Sequence, residues 1–106
     1  MSAEHSTMDQ TQLVEQVFEL TQAIAEAGQI ADWQRAARLA EQRSPLVHSI
    51  ERQQAPAALA LIRRIQIMDG VLMNEARTTQ AEAGEEFQAA LRRTKAAQQY
   101  NRVALF

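Results

Sequence analysis

Few residues in this 106-residue chain have the type and spacing that chemistry requires. Two histidines occur, His5 and His48, and the chain has neither an H-x-x-x-H nor the E-x-x-H of the di-iron bundles. A metal site needs three or four convergent ligands, so no metal is expected. There is no cysteine, which removes disulfides, thiolate nucleophiles and thiolate ligands together and fits a reducing compartment. The three glycines, at 28, 70 and 84, are too far apart to cradle a phosphate, and no G-x-S-x-G is present. Glu85 and Glu86 are adjacent, so on a helix they point about 100° apart and cannot work as a paired acid and base. We therefore expect no catalytic, cofactor-binding or metal-ligating residue, and a chain that is not an enzyme.

One cluster tests that expectation. Arg63 and Arg64, followed by Asp69, Leu72 and Arg77, echo the helical chorismate mutases, in which arginines on a long helix bind a dicarboxylate. Such enzymes also want a lysine facing the pocket, and Lys95 is the sole lysine here. A mutase-like enzyme is the remote alternative.

Charge is distributed unevenly. The net charge is −2, yet residues 1–34 hold six acids and no Lys or Arg, while the rest holds all 11 basic residues and 7 acids. An acidic first helix beside basic later helices accounts for this, with cations near the last C-terminus favoured by the helix dipole. A near-neutral chain lacks the basic surface that phosphate backbones demand, so nucleic acid is not an expected partner. Residues 1–12 lack the basic start and apolar run of a secretory signal, and no stretch approaches the ~20 apolar residues of a membrane span.

Composition points to helix nearly throughout: 20 alanines and 14 glutamines stand against 3 glycines and 2 prolines. The first helix should run from Thr7 to Ala27, capped by Ser6 or Thr7. Its buried stripe is Leu13, Val14, Val17, Phe18, Thr21, Ile24 and Ala25, and Gly28 should supply the left-handed residue that ends it. Asp32 should cap a second helix opening at Trp33, a core anchor, with an inner face of Ala36, Ala37, Ala40, Val47 and Ile50. Pro45 lies in this stripe without shifting its phase, which favours a kinked helix over a break at Ser44. Pro56 opens the third helix, where Leu59, Leu61, Ile62, Ile65, Ile67, Met68, Val71, Leu72 and Met73 cover more than one stripe. That helix should be contacted on two sides. Beyond Arg77 the pattern thins, then Phe87 and Leu91 restore a weak stripe. This last segment is either a continuation of helix 3 or a fourth helix hinged near Gly84. The expected fold is one all-α domain over residues 1–106, an up-down antiparallel bundle of three to four helices with the last weakly docked.

The residues from Asp32 to Val47 resemble the second helix of the FliT-like flagellar export chaperones: an acidic-Trp pair, then a leucine, an arginine and an aliphatic pair. Ile65, Asp69, Leu72 and Arg77 resemble their third helix, and Lys95 to Tyr100 looks like their basic-Ala-x-x-Tyr tail. Pro45, Gly70 and Val71 depart from the pattern. The resemblance implies a bacterial cytosolic chaperone that holds the flagellar filament-cap protein unassembled for type III export. It also implies possible binding to the export ATPase complex or the flagellar master regulator, and a last helix that covers the partner groove. On this reading the groove is Ile65, Met68, Leu72 and Met73, and its cover is Phe87, Leu91 and Tyr100, displaced by a partner's amphipathic helix. Arg43 and Arg77 are expected to be structural ion-pair partners. The alternative is a helical homodimer that buries the surplus face of helix 3 against its own copy.

Overall fold

The computed structural model describes residues 2–79 and 82–94, and all regular structure among them is helical. Four helices follow in order: α1 (Ser2–Gln29), α2 (Trp33–His48), α3 (Pro56–Thr78) and α4 (Glu82–Thr94). Helix α1 is longer than its expected span. No glycine or proline interrupts Ser2 to Ser6, so Ser6 and Thr7 lie inside the helix and do not cap it. Val14, Val17, Thr21, Ile24 and Ala27 are its buried positions, spaced three and four apart, while Leu13, Phe18 and Ala25 flank them half-buried.

The end of α1 corrects the role expected of Gly28. Gly28 stays helical, and the left-handed residue is Ala31, with φ 59°. The Ala31 N–H donates to the Gly28 carbonyl at 3.0 Å and the Asp32 N–H to the Ala27 carbonyl at 2.8 Å, the paired bonds of a Schellman end. Gly28 is needed for closeness instead: a Cβ there would stand 3.0 Å from Leu72 Cδ2 and 3.2 Å from the Trp33 ring. Because Ala31 holds a conformation that suits glycine, Ala31→Gly should raise stability by about 1 kcal/mol. An unchanged or lowered urea midpoint would contradict that account.

Asp32 follows immediately, and its side chain accepts a hydrogen bond from the Arg35 N–H at 3.2 Å, capping α2 as expected. Helix α2 then continues through Pro45 to His48, and Ser44 starts no new helix. The proline removes one backbone bond, but Trp33, Ala36, Ala40, Arg43 and Val47 form one buried stripe in phase across it. Pro56 occupies the first turn of α3.

Helix α3 ends at Thr78, and Thr79 after it is extended with φ −81° and ψ 143°, so α4 is a separate helix and the break precedes Gly84. Gly84 is buried in the first turn of α4, where a Cβ would collide with Thr79 Cγ2 and stand 3.0 Å from the Ala76 carbonyl oxygen. It permits α4 to fold back on the end of α3 and is not a hinge. Acids in the first turn of α4 (Glu82, Glu85) and bases in its last (Arg92, Arg93) suit the helix dipole.

The helices alternate in direction along a bundle 49 Å long. Helix α1 packs on both α2 and α3, and α4 packs on α2 and the end of α3. Helices α2 and α3 scarcely touch although they are consecutive: α2 packs on α1 and α4, and α3 chiefly on α1. Gln10 holds the connection between them. Its amide donates to the Ser49 carbonyl at 3.1 Å and accepts from the Glu51 N–H at 2.9 Å and from Gln54 Nε2 at 2.7 Å. The core has two parts. One is Val14, Val17, Val47, Ile50, Ala58, Ile62 and Ile65, drawn from α1, α2, α3 and the turn after α2. The other, centred on Trp33, Leu72 and Phe87, includes α4.

Candidate partner surface and the helix that covers it

Four residues of α4 face inward: Gly84, Phe87, Ala90 and Leu91. Phe87 is fully buried, and its ring centroid lies 5.3 Å from that of Trp33 at an interplanar angle of 40°. Around them stand Ile24 and Ala27 of α1, Ala36 and Ala40 of α2, and Leu72 and Ala76 of α3. The many alanines bring the backbones close but bury little area each. Two large side chains therefore carry most of the docking, at about 1.5–3 kcal/mol apiece for full burial. The Arg93–Glu41 pair at 3.0 Å is exposed on both sides and adds less than about 1 kcal/mol.

The expected groove is not one surface. Leu72 is buried beneath α4, and Met73 is half-buried against the same cluster. Ile65 is fully buried in the other cluster, away from α4. Met68 is half-buried and lies about 140° around the helix from Met73, because five residues separate them. Phe87 and Leu91 share a cluster with Leu72, and Tyr100 lies outside the described residues.

The surplus apolar surface of α3 lies elsewhere. Ile67 and Val71 are 67% and 54% exposed, one turn apart on the outward face, and Gly70 beside them has open space where a Cβ would stand. Both residues belong to the apolar run of α3 but lie outside the expected groove. Phase would have separated them. Ala58, Ile62, Ile65, Leu72 and Ala76 keep one three-and-four rhythm, and Ile67 and Val71 fall off it.

Between the two core clusters lies a polar layer. Arg43, which is 0% exposed, donates from Nη1 to Thr21 Oγ1 and to Asp69 Oδ1, each at 2.8 Å. The Thr21 hydroxyl in turn donates to the Val17 carbonyl at 2.7 Å. Burial pushes the Asp69 carboxyl above its ordinary pKa, and the Arg43 charge and hydrogen bond oppose that rise. Arg43 is thus the structural ion-pair partner expected of it. Arg77 is not: it is exposed in the last turn of α3 and makes no ion pair among the described residues.

The arginines of the mutase-like pattern do not converge. Arg63 and Arg64 are exposed, Arg64 lies over the Phe18 ring at 4.6 Å, and Asp69 turns inward to Arg43. Lys95 lies outside the described residues. His48 is exposed, and no group of three metal-ligating side chains occurs among the described residues. No described helix is long and apolar enough to cross a membrane.

Residues 11–102 match the family described as Flagellar protein FliT. No curated protein and no solved structure matches the chain.

Proposed function

The chain belongs to the FliT family of flagellar proteins, and we propose that it is a cytosolic type III export chaperone that binds the filament-cap protein and prevents its premature assembly. The observation that carries the mechanism is the seating of α4. A short helix holds the Trp33–Leu72 seam through two large anchors, Phe87 and Leu91. An amphipathic helix from the partner would take the same seam, with anchors spaced as those of α4 are. Leu72 and Met73 are the α3 contacts of that exchange, and Phe87 and Leu91 are the cover. Met68 and the exposed pair Ile67 and Val71 offer further apolar contact that needs no movement. The export ATPase complex and the flagellar master regulator are further partners on this reading.

The test is a calorimetric titration of the full chain with the C-terminal region of the filament-cap protein from the same organism. Saturable binding that is lost in Leu72→Asp, with the helical circular dichroism retained, is the expected result. A flat titration would end the proposal. The Ile67–Val71 face supports a second reading of another class, a homodimeric adaptor without an export role. Light scattering that shows only monomer at high concentration would dismiss it.

A further inference from the structure

We infer that the Thr21–Arg43–Asp69 layer divides the bundle into two separately opening halves, so that the half closed by α4 opens while the three-helix half stays folded. Among the described residues the layer spans α1, α2 and α3. On α1, Thr21 stands between Val17 of one cluster and Ile24 of the other. On α2, Arg43 stands between Val47 and Ala40, and on α3, Asp69 stands between Ile65 and Leu72. Each of the three helices changes from one core to the other at the same level, and each does so through a polar side chain.

The consequence follows from what cooperativity needs. Two halves of a bundle unfold together when apolar packing runs unbroken between them, because opening one half then exposes apolar surface of the other. Here the boundary is a charged pair and a hydroxyl, whose hydrogen bonds join α1, α2 and α3 and survive the departure of α4. Asp69 Oδ2 is buried without a hydrogen-bond partner among the described residues, so water admitted at this boundary satisfies a group that the closed state leaves short. Opening as far as the layer therefore meets less resistance than opening beyond it. The half that opens is also an end of the bundle. It holds the α1–α2 turn and the α3–α4 break, so the three long helices need only fray to the layer.

The division holds whether or not the chain is a chaperone; its use in releasing α4 rests on the function proposed above. Native-state hydrogen exchange on the free full-length chain tests it. Amides at residues 87–91, 34–40 and 73–77 should share one opening. Those at residues 14–18 and 62–66 should exchange about tenfold more slowly or better, with a steeper dependence on denaturant. A single opening common to all four helices would overturn the inference. In the double variant Arg43→Met with Asp69→Leu, the layer becomes apolar and the gap between the two sets should shrink. A gap left unchanged would show that the layer does not make the division. A failed binding titration leaves this result untouched, and uniform exchange leaves the titration untouched.

Discussion

Asp69→Leu should destabilise this protein by about 3–5 kcal/mol, because it removes the carboxylate that the buried Arg43 guanidinium pairs with at 2.8 Å. For a chain of this size the melting temperature should fall by about 12 °C or more. Arg43→Leu should be similarly costly, leaving Asp69 with one carboxylate oxygen unsatisfied and the other newly so. The double variant Arg43→Met with Asp69→Leu should recover most of the loss. Methionine fills much of the arginine's volume, leucine adds bulk at the half-buried position 69, and neither brings a charge into the core, while the closed pair already carries a desolvation cost, as the raised Asp69 pKa indicates. A double-mutant cycle on urea midpoints measures the coupling directly. If the two single losses simply add, the pair is not the interaction that holds α2 to α3.

Phe87→Ala should have the second large effect, and its form is informative. Phe87 is the largest side chain that α4 buries, and truncating a buried phenylalanine costs about 3–5 kcal/mol. Little else large holds α4, so the loss should appear as undocking of α4 and not as unfolding of the chain. Trp33, the one tryptophan, reports it: losing the ring beside it should shift its emission to the red while most helical circular dichroism remains. If α4 competes with the partner, the variant should bind the filament-cap segment about tenfold or more tighter, since the competent state no longer has to be uncovered. Weaker binding would mean that α4 is part of the partner surface and not its cover.

Much of the fold was legible without coordinates. The Asp32 cap, the opening of α3 at Pro56 and the passage of α2 through Pro45 depend on one residue and its nearest neighbours along the chain, or on a stripe whose phase can be counted. The family was legible from the same stretches, because the acidic-Trp opening and the α3 spacing lie within single helices. The roles of Gly28 and Gly84 were not legible in the same way, since both exist for close approach: Gly28 to Leu72, far along the chain, and Gly84 to Ala76 and Thr79 at the end of α3. A glycine beside a helix end looks like a cap until the partner packed against it is known.

The site divides in the same way. By itself the sequence determined that the chain is helical, that breaks separate α1, α2 and α3, and that α3 carries more apolar residues than one neighbour can cover, since these follow from local propensity and periodicity. Only the tertiary structure decided which of those residues are used. Lateral packing of α1 and α4 against α3 took Ile65 and Leu72 inward into different clusters and left Ile67 and Val71 in solvent. It also brought Thr21, Arg43 and Asp69 to one level. Their meeting depends on the relative heights of three helices, and helix height is set by long-range packing that no local pattern encodes.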